Sequence, residues 1–292
     1  MSGPDRSPVA APATRLVVGC GYLGERVARR WQAAGDRVLA VTRRPDRATA
    51  LADRGLEPVI GDVTAADAGW SGRLPRCDTV FWAVGFDRLA GVTPHDVHVA
   101  GLARLLDALD GRPRVILSSS TGVWGDEAGR VVNEETPPHP DREAGRVLVA
   151  AEAALRSHRL GPGTALRFAG LYGPGRLPRL ESLRSGAPIA ADPDSWLNLV
   201  HVDDAALVVQ VVAAAADPGP LYVVSDGRPV RRRDWYARLA ELAGAPPPGW
   251  DPAAPRSRGA DKRVDPARLF RDLGVVFTHP DSLAALAGCL AE

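Results

Sequence analysis

The chain has 292 residues, of which 45% are hydrophobic, and a formal net charge of +1. This hydrophobic content is ample for a packed core and excludes global disorder. The near-neutral charge favours neither nucleic acid nor an anionic membrane as a partner, and no apolar run approaches the roughly 18–20 residues that span a bilayer. The length fits two domains, or one α/β domain with an appended lobe.

Short apolar runs alternate with helical patterns in the front half of the chain. Helices are predicted after the first strand, at HDVHVAGLARLLDAL (95–109) and at GRVLVAAEAALRS (145–157). Strands are predicted at RLVVG (15–19), RVLAVT (37–42), EPVI (57–60), DTVFWAV (78–84), RVILSS (114–119) and TALRF (164–168). This alternation predicts an α/β fold, with a parallel sheet covered on both faces and wound doubly in the Rossmann manner.

The pattern loosens after Phe168, although a strand end and an apolar helix recur over 199–216 and a further strand over 221–226. The remaining chain is rich in Arg and Pro and carries one amphipathic helix near RRDWYARLAELAG. Residues 1–14 lack the pattern of a signal peptide and are expected to form a flexible tail. The expected units are a dinucleotide-binding domain over 15–175, to which 198–225 return, and a smaller C-terminal substrate lobe formed by 176–197 and 226–292.

The cysteines Cys20, Cys77 and Cys289 are scattered and odd in number, which suits a reducing cytoplasm. Neither they nor the six histidines show the spacing of a metal-ligand set. The sequence therefore predicts a cytoplasmic protein with no metal site.

A glycine pattern follows the first predicted strand and opens the first helix. In VVGCGYLG, Gly19 would permit a tight turn, Gly21 a close approach of a pyrophosphate, and Gly24 close packing of helix against strand. Tyr22 and Leu23 lie inside the motif, where the helix N-terminus offers N–H groups to phosphates. The pattern predicts a dinucleotide site, and a glycine turn without a ligand is the alternative.

The residues after the second strand favour NADP over NAD. NAD sites carry an Asp or Glu about 20 residues beyond the glycines, whereas this strand ends with Arg43 and Arg44. Guanidinium groups suit a 2′-phosphate. The alternative is a pair of solvated arginines in a chain whose basic residues are nearly all Arg.

Further cofactor contacts are predicted at the ends of the next strands. Asp62, followed by Val63, could accept a hydrogen bond from the adenine amino group, or could simply cap the next helix. In WAVGF, the small residues let a cofactor pass close to the backbone. The predicted contacts there and at the fifth strand are Ala83, Val84, Gly85 and Ser118.

Five segments together resemble the extended short-chain dehydrogenase/reductase superfamily, in its NAD-dependent epimerase/dehydratase group. They are GCGYLG, GDV, SSSTGVWG, LRFAGLYGPGR and HVDDAA. The resemblance implies that the serine strand ends at the nicotinamide and that the Ser120 hydroxyl hydrogen-bonds the reacting oxygen. Ser119 or Thr121 takes this role if the register slips, and both are expected near substrate, as is Trp124, which stands where the family often has Tyr. Serines that merely end a strand are the alternative.

The chain departs from this family at the residues that transfer protons. The resemblance implies a Tyr and a Lys four residues apart on the next helix. Aligned on Glu152, those positions hold Ala144 and Leu148, and the single lysine of the chain, Lys262, falls in the C-terminal lobe. The chain is thus similar to an atypical member that lacks the Tyr-x-x-x-Lys pair.

Several residues could substitute for the missing pair, each with an ordinary structural alternative. Tyr172 follows the sixth strand and could act as an acid or merely pack, while Arg146 could contact the cofactor or be solvated. His139 flanks the same helix. His201, with Asp203, could bind substrate or fix a loop, and Arg176 could hold an anionic substrate.

Two functions remain open from the sequence. The first is an NAD(P)-binding oxidoreductase or epimerase-like protein with non-standard acid/base residues, acting on a small polar metabolite; the family resemblance extends that class to nucleotide sugars. The second is a catalytically inactive NADP(H)-binding sensor or scaffold. The resemblance also implies a homodimer.

Overall fold

The computed structural model describes residues 11–65, 69–86, 91–161, 163–251 and 261–291. The strands in these ranges are β1 (Thr14–Val18), β2 (Arg37–Thr42), β3 (Glu57–Ile60), β4 (Thr79–Trp82), β5 (Arg114–Ser120), β6 (Val131–Val132), β7 (Thr164–Phe168), β8 (Gly170–Tyr172), β9 (Trp196–Leu197), β10 (Leu199–His201), β11 (Leu221–Val224), β12 (Val230–Arg231) and β13 (Arg263–Val264).

The α-helices of the same ranges connect and cover these strands. They are α1 (Tyr22–Ala33), α2 (Pro45–Ala52), α3 (Gly101–Ala108), α4 (Glu143–Ser157), α5 (Leu180–Arg184), α6 (Val202–Ala214), α7 (Arg232–Leu242), α8 (Ala267–Leu273) and α9 (Ser282–Ala291). None of these described helices is long and apolar enough to cross a bilayer.

A parallel sheet forms the centre of the chain and confirms the predicted fold class. In the described residues its seven strands follow the order β11-β7-β5-β4-β1-β2-β3, and every neighbouring pair is parallel. The strand order reverses between β1 and β4. In sheets of this kind a ligand crevice lies at the carboxyl ends of the strands beside such a switch point.

The two faces of the sheet carry separate apolar layers. One contains Trp31 of α1 and Val208 of α6, and the other contains Leu105 of α3 and Leu155 of α4. These side chains are almost fully buried, because a parallel sheet requires helical cover on both faces. A third apolar cluster, which contains Trp235, joins α5, α7 and α9.

Two predicted boundaries differ from the structure. Thr14, placed in the flexible tail by the sequence, already belongs to β1, where its N–H donates to Asp78 Oδ2 at 2.7 Å. The single helix predicted over 95–109 divides into a π-helical turn, Asp96–Ala100, followed by α3. At that junction a Cβ on Gly101 would lie 3.0 Å from Val63 O, so the wide turn coincides with a close approach to the preceding loop.

Candidate functional site

A first cleft of about 250 Å³ lies at the carboxyl ends of β1 to β4. It brings together most of the residues that the sequence predicted for cofactor binding. Those that line it are Gly19, Gly21, Arg43, Arg44, Asp62, Val63, Ala83, Val84 and Gly85. They come from four different loops, so the parallel sheet gathers them at one edge.

The glycine loop is shaped for a close approach of ligand. Gly19 has φ +93°, and a Cβ there would lie 2.6 Å from the Ala83 carbonyl carbon. A Cβ on Gly24 would lie 2.3 Å from Gly19 O, whereas a Cβ on Gly21 would meet no atom within 4 Å. Gly19 and Gly24 are therefore required by packing, while the space beside Gly21 fits the phosphates of a dinucleotide.

The residues between these glycines lie at the N-terminus of α1, whose first N–H groups have no partner within the helix. The Leu23 side chain is buried in the core. The Tyr22 hydroxyl donates to Pro174 O at 3.1 Å, and burial raises the pKa of that phenol to about 12. Neither side chain lines the first cleft, so any contact that these two residues make with phosphate there would come from the backbone.

Both Arg43 and Arg44 line the first cleft. The Arg44 guanidinium also forms an ion pair with Asp46, with Nε donating to Oδ1 at 3.0 Å. A ligand phosphate would compete with this carboxylate for Arg44, and a contact of either guanidinium group with a 2′-phosphate stays a prediction.

The sequence left two alternative roles open for Asp62, a contact with adenine and a local cap. Its Oδ1 accepts hydrogen bonds from Thr64 N at 2.8 Å and from Thr64 Oγ1 at 2.7 Å. The residue therefore fixes its own loop, yet it also lines the cleft beside Val63. A contact between the second carboxylate oxygen and an adenine amino group remains a prediction.

A second, larger cleft of about 550 Å³ lies where the ends of β5 and β7 meet the C-terminal part of the chain. Four of its side chains are cationic, and Asp141 is acidic. The residues that line it are Ser118, Ser119, Ser120, Thr121, Gly122, Trp124, Asp141, Arg142, Phe168, Ala169, Gly170, Leu171, Arg176, Trp196, Leu197, Asn198, Arg232 and Lys262. The predicted contacts Ser118, Thr121, Trp124 and Arg176 are thus gathered here.

The three serines at the end of β5 have different roles. Ser118 and Ser120 are partly exposed, whereas Ser119 is 4% exposed, as strand alternation requires. Ser119 Oγ donates to Glu152 Oε1 at 2.5 Å. The Ser119 hydroxyl is therefore directed to a buried carboxylate, although the residue lines the cleft, and its contact with substrate stays a prediction. Ser120 Oγ accepts from Gly122 N at 3.0 Å and remains the serine suited to a ligand.

A buried ion pair contacts the end of β5 through Ser119. Glu152 of α4 and Arg167 of β7 are each 3% exposed, and two hydrogen bonds of 3.0 and 2.7 Å join them. The Arg167 guanidinium lies 4.7 Å from the ring centroid of Trp124, whose Nε1 donates to Thr136 O at 3.0 Å. The pair thus connects α4, β7 and the loop after Ser120.

Helix α4 contributes little to the second cleft. Ala144 and Leu148 stand where the resemblance implied Tyr and Lys, and no described residue within the helix lines the cleft; only Asp141 and the N-cap Arg142 do so. Arg146 is exposed, and its Nη1 donates to Asp141 O at 3.3 Å. The structure therefore does not place Arg146 where it could contact a reacting group.

Tyr172 and His201 line neither of these two clefts, so the structure does not bring them together with the serine strand, and their roles in acid catalysis and substrate binding stay predictions. Tyr172 is fully buried, and its ring packs edge-on against Trp235 and His201. Burial raises the pKa of its phenol far above neutrality. His201 is 3% exposed and stacks on His279 with ring centroids 3.7 Å apart. His139 contributes its carbonyl, which accepts from Gly125 N at 2.9 Å.

One group of potential metal ligands occurs where the sequence predicted none. Atoms of His201, Asp204 and His279 lie within 4.8 Å of one another. The Asp204 carboxylate accepts hydrogen bonds from Thr278 N and His279 N, both at 2.8 Å. In the described contacts this carboxylate fixes the loop that leads to α9.

Sequence reasoning missed Lys262 as a site residue. Although it lies in the C-terminal part of the chain, it lines the second cleft, and its Nζ donates to Trp124 O at 2.8 Å and to Gly125 O at 3.3 Å. Lys262 is 4% exposed, and this burial lowers the pKa of its ammonium group from 10.5 to about 8. The one available signal was that the chain contains a single lysine.

The family of the chain follows from a comparison with known sequences. A model of the NAD dependent epimerase/dehydratase family matches residues 15–225. The chain belongs to this family. Protein YeeZ of Escherichia coli K12 is 36% identical over 174 residues, which are 59% of this chain and 60% of YeeZ. Human short-chain dehydrogenase/reductase family 42E member 1 is 32% identical over 51% of this chain and 45% of its own length. The chain thus spans about half to three-fifths of these relatives.

Solved structures resemble nearly the whole chain. A conserved protein of unknown function from Silicibacter pomeroyi has a TM-score of 0.77 and 29% identity, over 96% of this chain and 98% of that one. MoeE5 in complex with UDP-glucuronic acid and NAD has a TM-score of 0.75 and 25% identity, over 95% and 99% of the two chains. These similarities match the central parallel sheet and its flanking helices.

Proposed function

We propose that the chain is a nicotinamide-dependent oxidoreductase or epimerase that acts on a small polar, anionic metabolite. The observation that carries this proposal is the arrangement of the two clefts along one edge of the sheet. The first contains the glycine loop and Arg43, and the second begins at Ser118 and Ser120. Together they fit a dinucleotide that extends from the Arg43 loop toward the serine strand, with substrate beyond it.

The cofactor favoured by the first cleft is NADP. Arg43 lines the cleft at the position that directly follows β2, where NAD sites usually carry an Asp or Glu. A guanidinium group binds a phosphate more strongly than a neutral hydroxyl. When bound, such a cofactor supplies or accepts a hydride.

The second cleft favours a substrate that carries negative charge. Arg142, Arg176, Arg232 and Lys262 line it, against the single carboxylate of Asp141. A nucleotide sugar has both the diphosphate charge and the polar hydroxyls that such a cleft would bind, and MoeE5 was solved with UDP-glucuronic acid. We therefore include UDP-sugars among the first substrates to be tested.

Thermal unfolding with NADPH, with NADH and without ligand tests the cofactor assignment. A ligand that binds only the folded state at 100 times its Kd stabilises it by about 2.7 kcal/mol, which corresponds to a rise of roughly 5 °C. We expect the larger rise with NADPH. Equal melting temperatures in all three conditions would contradict the assignment.

The replacement of Tyr and Lys by Ala144 and Leu148 favours a second candidate, an NADP(H)-binding sensor without turnover. Ser120→Ala separates the two, with Ser157→Ala, at the far end of α4, as the control. For an enzyme, Ser120→Ala abolishes turnover of UDP-sugars and leaves NADPH binding unchanged. A wild-type protein that binds NADPH and turns over none of these substrates would favour the sensor.

A further inference from the structure

We propose that Lys262 is the proton-transferring residue of the second cleft, acting on the reacting oxygen of the substrate. This inference rests on the proposed function. It assigns to the C-terminal part of the chain a role that α4 does not provide here, because neither Ala144 nor Leu148 can exchange a proton.

The backbone around Lys262 is held by polar contacts on both sides. Asn198 Nδ2 donates to Lys262 O, and Asn198 Oδ1 accepts from Val264 N, both at 2.8 Å. Asp261 Oδ1 accepts from Trp196 N at 2.8 Å, and Asp261 O accepts from Gly129 N at 3.0 Å. The start of β13, which pairs with β6, is thereby fixed to the wall of the cleft, and the lysine is positioned by it.

The contacts of Nζ leave one direction open toward a ligand. An ammonium group has three hydrogens. Two are donated to Trp124 O and Gly125 O, so among the described residues the third is available to the cleft. After this proton leaves, the two remaining N–H groups can keep both carbonyl contacts, and the lone pair occupies the third direction. The site therefore accommodates both protonation states without rearrangement.

The acceptor carbonyls connect Lys262 to the serine strand. Ser120 is the N-cap and Trp124 the C-cap of one short 3-10 turn, Thr121–Val123. At about 2 Å per residue, such a turn separates its caps by roughly 8 Å. Ser120 and Lys262 both line the second cleft, and the carbonyl that Lys262 contacts at Trp124 is separated from Ser120 by a distance that a single sugar-sized ligand can span.

The charges around Lys262 allow a proton to be exchanged near neutral pH. Burial and Arg232 disfavour the ammonium form, while Asp141, Glu127 and Asp126 favour it, and burial has the largest effect. Its pKa is about 8, close to the range that suits a general acid or base.

The proposed step balances in both directions. In oxidation, a substrate C–OH loses its hydroxyl proton to the Lys262 Nζ lone pair and its carbon-bound hydride to the oxidised nicotinamide dinucleotide, leaving a carbonyl and an ammonium group. In reduction, the carbonyl carbon receives hydride from the reduced dinucleotide and its oxygen receives the proton of the Lys262 ammonium group.

The single lysine permits a test in the unaltered chain. Protein labelled with 13C at lysine Cε should give one lysine side-chain signal, and we expect it to titrate with a midpoint near 8. We also expect the midpoint to move when UDP-glucuronic acid is added together with NADP+. A midpoint near 10.5 that is unaffected by these ligands would overturn the inference.

Turnover by two Lys262 variants distinguishes proton transfer from positioning. Lys262→Met removes the charge, whereas Lys262→Arg retains a cation and its donors but cannot release a proton at working pH. The probes are UDP-glucose and UDP-glucuronic acid with NADP+. We expect both variants to lose turnover by about 10²–10⁴-fold and to lose the rise in rate with a midpoint near pH 8. Arg263→Met, the exposed neighbour on β13, is the control and should retain the wild-type rate.

The outcomes separate this inference from the proposed function. Wild-type turnover that Lys262→Arg retains would overturn the role of Lys262 and leave the proposed function standing. A wild-type protein that turns over neither probe would contradict the proposed function and, with it, this inference.

Discussion

The two clefts are built in different ways. The first is formed mainly by loops that follow consecutive strands β1 to β4, and most of its residues lie within a few positions of a strand end. The second joins the end of β5 to Asp141, Asn198, Arg232 and Lys262, which are far apart in the chain. The residues of a site built from local motifs lie in short sequence segments that can be recognised. The residues of a site built by tertiary packing come one at a time from distant segments.

The largest expected change in the free energy of unfolding comes from breaking the buried ion pair of Glu152 and Arg167 beside the second cleft. Glu152→Ala leaves the Arg167 guanidinium buried without its carboxylate, which should lower the free energy of unfolding by about 3–5 kcal/mol. Urea denaturation measures this loss, and Glu143→Ala, exposed on the same helix, is the control. A loss below about 1 kcal/mol would show that the ion pair does not hold the serine strand in place.

The matching test of the first cleft uses its glycine turn. Gly19→Ala should lower stability by about 1–3 kcal/mol through backbone strain, and the overlap with the Ala83 carbonyl should reduce NADPH affinity at least tenfold. Gly35→Ala is the control, because Gly35 has a similar φ of +88° and a Cβ there would meet no atom within 4 Å. Calorimetric titration with NADPH compares the two. Equal affinities would mean that the close approach at Gly19 does not shape the cofactor site.

The pH dependence of stability tests whether Lys262 is buried as a partly neutral group. Between pH 8 and 10.5 the folded protein binds fewer protons at Lys262 than the unfolded chain, because the folded pKa is lowered to about 8. The contribution of Lys262 to the free energy of unfolding is therefore smallest below pH 8. It rises with pH between pH 8 and 10.5, by about 3 kcal/mol at most.

Lys262→Met should lack this rise, so the difference between the wild type and the variant isolates it from other titrating groups. Urea unfolding at pH 7, 8, 9 and 10 gives the comparison, with Arg263→Met as the control. A wild-type curve parallel to that of Lys262→Met would show that the ammonium group titrates normally.

A change in cofactor affinity of similar size distinguishes NADP from NAD. Arg43→Ala removes a charge-assisted contact of about 1.5–3 kcal/mol, so NADPH affinity should fall by roughly 10- to 100-fold while NADH affinity changes little. Arg238→Ala, on α7, is the control. If the variant loses affinity for NADPH and NADH equally, Arg43 does not bind the 2′-phosphate.

The contrast between the clefts also explains which predictions the structure confirms. The strands and the glycine loop were predictable because apolar runs of strand length alternate with helical periodicity, and the resulting parallel sheet gathers its loops at one edge. The surroundings of Tyr172 and His201 were not predictable, because a position after a strand does not reveal whether a side chain faces a cleft or packs against other side chains.

Lys262 was missed because its position is set by tertiary contacts and not by a local motif. Its place in the cleft depends on the pairing of β13 with β6 and on the contacts of Asn198. Those contacts join segments more than 60 residues apart, and no local pattern encodes them. The rarity of lysine in this chain drew attention to the residue, but only the tertiary structure shows what it contacts.

Hydrogen exchange with and without NADP+ tests most directly whether the two clefts form one site. If they do, bound NADP+ should slow exchange in peptides that cover Gly19–Gly24 and also in peptides that cover Ser120–Gly125. Protection confined to the glycine loop would show that the cofactor does not reach the serine strand, and unchanged exchange in both peptides would contradict the dinucleotide site itself.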